Sequence, residues 1–198
     1  MKISDRDRDV LQRLAAQIAE IAALPVQKEK AELWRRLNAR EPVRPLVWIN
    51  EIPWHEMNVD DELTLRTAHP WAREVEQGLR HTLYQWRHMP GDMVVSETLA
   101  CPLVIHSSGF GLTEDVDIVR TDEANAVVSR EFHPLIAEPE DVEKIRMPAV
   151  TYDEAATGER YEAMQAIFGD IMPVEKIGIQ GRWFAPWDLL IRWWGVEQ

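Results

Sequence analysis

The chain has little cysteine, since Cys101 is the only one among its 198 residues. A disulfide framework within the chain is therefore excluded, and a cytosolic location is the default expectation. The sequence also lacks a continuous apolar run long enough to span a membrane. Its charged start, MKISDRDRDVLQRL, has no apolar stretch of the signal-peptide kind. We therefore expect a soluble, cytoplasmic protein.

Basic residues are scarce relative to acidic ones. The chain has 22 Lys and Arg against 34 Asp and Glu, which gives a formal net charge of −12. This balance argues against nonspecific binding of DNA or RNA and against docking on anionic lipid, because both need a basic surface. Apolar residues make up 45% of the chain, so we expect it to fold around a core.

Helical spacing of apolar residues predicts several helices. In residues 5–23, Val10, Leu11 and Leu14 recur at this spacing, and Ser4 or Asp5 is suited to the N-cap position. Proline and glycine mark most of the boundaries between the predicted elements. The other predicted helices cover residues 26–40, 70–88, 152–168 and 186–194, with a short one at 138–145.

Three short apolar runs predict buried strands of a parallel sheet. They are PLVWI (45–49), DMVVSE (92–97) and PVEKIGI (173–179). The first two flank the helix predicted at 70–88, an order that indicates a right-handed β-α-β unit. Residues 101–133 break this rhythm. Alternating apolar positions and turn residues there, with DEAN (122–125) as one turn, predict an antiparallel ribbon.

Three segments resemble a known family. They are RPLVWINEIPWHEMN (44–58), LRHTLYQWRHMPGDMVVSE (79–97) and GRWFAPWDLLIRWWG (181–195). With their helical context they resemble the uroporphyrinogen-decarboxylase-like (URO-D) superfamily, and more closely its branch associated with corrinoid-dependent methyl transfer. The likeness runs from about residue 5 to the end of the chain and belongs to the whole pattern rather than to one short signature.

The resemblance implies a (β/α)8 barrel, which typically needs roughly 250 residues. We therefore expect an α/β fold that is a partial (β/α)8 TIM-type barrel, the N-terminal half, with N-terminal helices and an antiparallel β-ribbon insertion. Residues 1–198 are interpreted as a single N-terminal part of such a barrel, with a helical segment at 1–44 and the ribbon insertion at 101–133. The apolar end of the sequence favours a truncated product or one piece of a split protein. The alternative is a complete small α/β domain.

Catalytic groups of parallel α/β proteins lie just beyond the carboxyl ends of strands. Glu51 and His55 follow the first predicted strand, and Glu97 ends the second. We therefore predict Glu51, His55 and Glu97 as catalytic residues that orient substrate and manage protons at a barrel mouth. The residues predicted to contact substrate are Asn50, Trp54, Arg182 and Trp183.

The resemblance also separates two activities. True uroporphyrinogen decarboxylases carry a P-V-W-x-M-R-Q-A-G-R type motif after the first strand, whose arginines grip substrate carboxylates. In this chain those two arginine positions fall on Glu51 and His55. A carboxylate there repels an acidic porphyrinogen, so tetrapyrrole decarboxylation is the less favoured function. An S-D type dipeptide of the decarboxylases is matched here by Ser96-Glu97, which keeps the charge.

The methyltransferase branch implies zinc and a corrinoid partner protein, with a small methylated compound as substrate. In that branch zinc is held by a His-x-Cys pair and a distant Cys from late strands, and it activates a thiol as the thiolate. This chain has no His-x-Cys, since Cys101 is followed by Pro102. We therefore place no metal site in it and expect the ligands in the missing half.

Less specific interpretations remain for these residues. Cys101 is expected to be a small buried residue, and His81 and His88 are expected on a solvated helix face. A second hypothesis for the whole chain is noncatalytic. A half-barrel with open sheet edges would associate with itself, as a homo-oligomer, or with a complementary chain.

Overall fold

The computed structural model describes residues 3–120, 128–179 and 185–195. It divides into two compact units, one of Met1–Cys101 with Gly158–Lys176 and one of Pro102–Thr157 with Ile177–Gln198. No helix among the described residues is long and apolar enough to cross a membrane. The helices are α1 (Asp5–Ala22), α2 (Pro25–Asn38), α3 (Pro70–His88), α4 (Glu154–Phe168) and α5 (Pro186–Trp194), with 3-10 helices at Trp54–Glu56 and Pro139–Lys144. The strands are β1 (Leu99–Pro102), β2 (Ile105–Ser107), β3 (Asp115–Val119), β4 (Ser129–His133), β5 (Val150–Tyr152) and β6 (Val174–Ile177).

Helix α1 begins where the sequence predicts it. The side chain of Ser4 accepts a hydrogen bond from the backbone N–H of Asp7 at 3.1 Å, which satisfies one of the free amides of the first turn. The buried face of the helix carries the residues whose spacing predicted it, and it packs against α3. The predicted helices at 26–40, 70–88, 138–145, 152–168 and 186–194 are also confirmed, within a few residues at their ends.

The first unit contains the main apolar core. It is built from α1, α3 and α4 together with the segment around Met93 and Val95. Phe168, Leu11 and Cys101 are fully buried there. Burial of apolar area at roughly 25 cal/mol per Å² is the dominant stabilising contribution in such a cluster. The expectation that Cys101 is a small buried residue is confirmed.

The strand predicted at 45–49 is wrong. This segment forms no ladder, and Val47 and Trp48 are 52% and 51% exposed. It is held by the carboxylate of Asp92, which accepts hydrogen bonds from Arg44 and from the backbone N–H of Val47, while the N–H of Asp92 donates to the carbonyl of Val47. A side chain therefore takes the place of a continuous backbone ladder.

The strand predicted at 92–97 is also absent, although its apolar residues are largely buried. The backbone N–H of Val95 donates to the side-chain oxygen of Gln27 at 2.9 Å instead of to a neighbouring strand. Gly91 has φ +46°, and a Cβ there would lie 2.8 Å from the carbonyl oxygen of Val47. Glycine therefore permits this close approach, while the predicted β-α-β unit of 45–49, α3 and 92–97 does not form.

Within the part of the chain that the structure describes, the strands form three two-stranded sheets, in the pairs β1–β6, β2–β5 and β3–β4. Strands β2 and β5 are antiparallel with His106 opposite Thr151, and β3 and β4 are antiparallel with Asp117 opposite Glu131. The predicted antiparallel ribbon is thus confirmed in β3 and β4, whereas its turn at 122–125 lies outside the described residues. The strand predicted at 173–179 is confirmed as β6.

The structure belongs to the mixed α/β class, as predicted. No sheet among the described ranges closes into a barrel. In the second unit, α5 contacts β4, and the backbone N–H groups of Leu135 and Ile136 both donate to the carbonyl of Trp193. The ring of Phe110 packs edge-on against Trp193 with centroids 5.6 Å apart. This small apolar contact anchors the C-terminal helix in its unit.

Candidate functional site

The loop that precedes α3 carries four of the residues predicted from the sequence. Asn50 and Glu51 lie in its extended part, where both are exposed and make no hydrogen bond or ion pair within the described residues. Trp54 and His55 follow in the 3-10 helix Trp54–Glu56. The structure therefore keeps Asn50, Glu51, Trp54 and His55 together on one short surface segment.

Trp54 is fixed in place by α3. Its indole stacks on the imidazole of His81, with ring centroids 3.8 Å apart and planes 3° from parallel. The ring of Tyr84 meets Trp54 edge-on at 6.0 Å, and Tyr84 also packs against His88 at 4.3 Å. The Tyr84 hydroxyl donates to the sulfur of Met57 at 3.8 Å. We call Trp54, Met57, His81, Tyr84 and His88 the Trp54 cluster.

Charged side chains contact the Trp54 cluster at His88. The Glu62 carboxylate forms an ion pair with Arg87 and lies 2.9 Å from Nε2 of His88. The carbonyl of Glu62 accepts a hydrogen bond from Arg80 at 2.7 Å. These contacts attach the loop around Glu62 to α3. Immobilised aromatic rings lose little conformational entropy when a ligand contacts them.

His55 lies beside the carboxylate of its neighbour Glu56. Its Nε2 lies 3.4 Å from a carboxylate oxygen of Glu56, and its side chain is 20% exposed. An imidazole beside a carboxylate in contact with water is able to accept or deliver a proton. The geometry is thus compatible with the proton-handling role predicted for His55.

Glu97 lies in a different surface feature of the first unit. It lines a cavity of about 580 Å³ together with α2 residues that include Lys28 and Arg35. Neither a hydrogen bond nor an ion pair within residues 3–120 joins Glu97 to Glu51 or His55. The three predicted catalytic residues therefore do not form one hydrogen-bonded group. Arg182 and Trp183, predicted to contact substrate, lie outside the described residues.

Two buried carboxylates, Asp7 and Glu76, accept several hydrogen bonds, and the sequence predicts one of these contacts, the i,i+4 pair of Glu76 with Arg80. Asp7 accepts from the backbone N–H groups of Ala68 and His69, both at 3.0 Å. Burial raises the pKa of Asp7, but these hydrogen bonds outweigh it and leave that pKa below its usual value. An acid held ionised by local amides stabilises the entry to α3, so we assign Asp7 a structural role.

Glu76 is fully buried on α3 and ties down the chain before that helix. Its carboxylate accepts from the backbone N–H groups of Arg66 and Thr67, from the Thr67 hydroxyl and from Arg80. Burial raises the pKa of Glu76, but the hydrogen bonds from Thr67, Arg66 and Arg80 prevail and lower it overall. This network is likewise structural.

Zinc, implied by the resemblance, does not fit the residues that the structure describes. Burial raises the pKa of the Cys101 thiol, which disfavours the thiolate that binds metal. Among the described ranges there is no group of three or more His, Cys, Asp or Glu side chains that could hold a metal ion. No chemical step through zinc is therefore assigned to this part of the chain.

Sequence reasoning missed His81 and Tyr84 as partners of the predicted site. His81 was expected on a solvated face, yet it is half-buried under Trp54, and burial lowers its pKa. A signal was available, because positions 81, 84 and 88 share one helix face at spacings of three and four. Aromatic and imidazole rings in such a stripe indicate a platform for another aromatic side chain.

Comparison with known proteins finds no relative of this chain. The chain matches no protein-family model, no curated protein and no solved structure. The family resemblance therefore stays a prediction carried by the three segments at 44–58, 79–97 and 181–195.

Proposed function

We propose that this chain is part of a URO-D-like enzyme of the cytoplasm that takes part in corrinoid-dependent methyl transfer from or to a small methylated compound. The proposal includes its fold as the N-terminal part of a (β/α)8 barrel. The observation that carries it is the surface segment of residues 50–57. This segment belongs to the region that resembles the family. Its Trp54 stacks on His81 of α3, Asn50 and Glu51 are exposed, and the His55 side chain is partly exposed.

In this proposal Trp54 provides a rigid surface against which a substrate packs. Glu51 orients the substrate through its free carboxylate, and His55 moves a proton with Glu56 beside it. Glu97 supplies a second carboxylate from its own cavity. Arg182 and Trp183 belong to the proposed substrate contacts by resemblance. In this proposal the zinc ligands lie outside the described residues, and a separate partner protein carries the corrinoid.

The proposal is tested with methylcobalamin as the probe. Equilibrium dialysis of the chain against methylcobalamin should show retention of the corrinoid by the protein. Glu51→Gln and Trp54→Ala should each weaken retention about tenfold, equivalent to about 1.4 kcal/mol. Matched controls are Glu29→Gln, an exposed acid on α2, and Trp187→Ala, whose side chain is 69% exposed on α5. No retention at millimolar methylcobalamin, or equal losses in the controls, contradicts the proposal.

A second function, assembly of a half-barrel without catalysis of its own, is favoured by a different surface. Val47, Trp48 and Ile49 are exposed, and Trp48 lines a cavity of about 520 Å³ with Trp34, Ala31 and Val94. Contiguous apolar side chains of this kind are typical of protein contacts. We propose a second copy of the chain as the occupant, because the exposed side chains of Val47, Trp48 and Ile49 leave water when the same surface of another copy packs on them.

Light scattering after size-exclusion chromatography tests the assembly. The mass should rise with protein concentration, and Trp48→Glu should keep the chain at the mass of one copy. Val59→Glu introduces the same charge at a side chain that is 82% exposed outside this surface, so it should leave assembly unchanged. A constant mass of one copy at all concentrations rejects self-association, and retention of a complementary chain with no self-association points to the heteromeric form.

A further inference from the structure

A cavity beside α1 is lined by four arginines. It has a volume of about 420 Å³, within the range of roughly 300–1,000 Å³ that is common for small-molecule sites. It belongs entirely to the first unit, and none of its residues belongs to the segment of the proposed function. The complete lining is Arg6, Val10, Arg13, Leu14, Gln17, Arg66 and Arg80.

Three backbone elements bring these side chains together. Positions 6, 10, 13 and 17 follow one another at spacings of four and three, so they share one face of α1. Arg80 comes from α3, which packs against α1. Arg66 comes from the chain before α3, where Glu76 accepts its backbone N–H at 2.9 Å. The arginines are therefore presented from anchored elements.

The charges at this cavity are largely uncompensated. Arg80 is engaged by Glu76 and by the carbonyl of Glu62. The side chains of Arg6, Arg13 and Arg66 make no hydrogen bond or ion pair within the described residues. The Asp7 carboxylate attracts the neighbouring Arg6 electrostatically, but it accepts its hydrogen bonds from the amides of Ala68 and His69 and not from Arg6. A cavity lined by four arginines is unusual in a chain with 34 acidic and 22 basic residues.

Unpaired guanidinium groups around one cavity favour an anion of high charge density. An anion that enters the cavity is attracted by several positive charges, and the planar fork of Arg matches the oxygens of phosphate. Gln17 adds an amide donor, while Val10 and Leu14 provide an apolar floor. We propose that this cavity is a binding site for a small phosphate-bearing molecule.

Isothermal titration calorimetry at low salt tests this site with inorganic phosphate and pyrophosphate. We expect pyrophosphate to bind more tightly than phosphate, and chloride and acetate to produce no saturable heat. Arg13→Gln and Arg66→Gln should each weaken pyrophosphate binding about tenfold, because each removes a charge-assisted contact. The matched control is Arg36→Gln. It makes the same change in net charge at a partly exposed arginine of α2 that is paired with Glu41, and it should weaken binding less than about twofold.

Thermal unfolding separates ligand binding from a structural role of the arginines. Pyrophosphate should raise the Tm of the parent chain, as expected for a ligand that binds the folded state, and should not raise that of an Arg13→Gln, Arg66→Gln double variant. Without pyrophosphate the double variant should unfold at a Tm no lower than that of the parent, since the lost charges had no partners. No saturable binding at several millimolar pyrophosphate, or equal weakening by Arg36→Gln, overturns the proposal.

Discussion

The two compact units differ in what holds each of them together. In the first unit, helices α1, α3 and α4 bury a continuous apolar cluster. Buried Asp7 and Glu76 join loops to helices, and buried Asp92 joins two loop segments. In the second, the buried apolar side chains among the described residues are Ile136 and Trp193, and short antiparallel pairs provide most of the order. We therefore expect local opening to cost less free energy in the second unit.

The largest effect is expected at Glu76. Glu76→Gln leaves Arg80, whose side chain is 15% exposed, without its charged partner and places an amide against N–H donors. Loss of one member of a buried ion pair costs about 3–5 kcal/mol. Urea denaturation measures the change in unfolding free energy. Glu74→Gln, at an exposed acid on the same helix, is the control and should change it by less than about 0.5 kcal/mol. Equal losses in the two variants would show that Glu76 is not an anchor.

Trp193→Ala tests the weakness of the second unit directly. Trp193 is 7% exposed, and truncation of a buried Trp costs about 3–5 kcal/mol. Since few other apolar side chains are buried in this unit, hydrogen exchange should show lost protection in β3 and β4 and unchanged protection in α1 and α3. Trp187→Ala, on the same helix with a 69% exposed side chain, should preserve both patterns. Loss of protection throughout α1 and α3 would contradict independent units.

Asp92 links stability to acid pH. The Arg44 guanidinium lowers the pKa of Asp92 to about 2, so the folded-state value lies below the unfolded one of about 3.9. The stabilisation is therefore complete above about pH 4 and is lost as the pH falls through about 2. Asp92→Asn should cost about 1–3 kcal/mol at neutral pH, because the contacts to Arg44 and Val47 weaken. Unfolding free energies measured across this pH range check both points, and Asp60→Asn, at an exposed aspartate, is the control. If the unfolding free energy of Asp92→Asn depends on acid pH as it does in the parent chain, the loss of stability in acid comes from other carboxylates.

The smallest effect is expected at His81. Removal of the stacking contact with Trp54 in His81→Ala should cost about 0.5–1.5 kcal/mol. Burial lowers the pKa of His81, so its contribution is complete above about pH 6.5 and is lost as the pH falls through the lower folded-state value. The control is His106→Ala, which removes an imidazole that is 65% exposed and keeps His81, so its unfolding curves should retain the pH dependence that His81 produces. If NMR titration finds an ordinary pKa for His81, the stacked arrangement is wrong.

Most helices were predictable because their signals are local. Helix α3 was placed at its observed bounds, since Pro70 opens it and Pro90-Gly91 follows its end. The strands at 45–49 and 92–97 were mispredicted. An apolar run rich in β-forming residues indicates a preference for extended backbone but does not specify which segment, if any, pairs with it. Here Asp92 and Gln27 supply side-chain partners to those backbones. The candidate site was predicted in part. Asn50, Glu51, Trp54 and His55 lie together because they are neighbours in sequence, whereas the distance of Glu97 from them depends on packing.

The sequence by itself determined the α/β class, the helix boundaries, the antiparallel ribbon of β3 and β4, and the acidic character of the chain. These properties depend on residue type and on spacings of a few residues. The pairing of Glu76 with Arg80 follows from their i,i+4 spacing on α3. The tertiary structure alone decided that Trp54 stacks on His81 and that Glu76 holds the chain before α3. It also decided that four arginines meet at one cavity. Such contacts join a helix to another segment of the chain. They form only when these segments pack, because burial of their shared apolar faces sets the distances between the side chains.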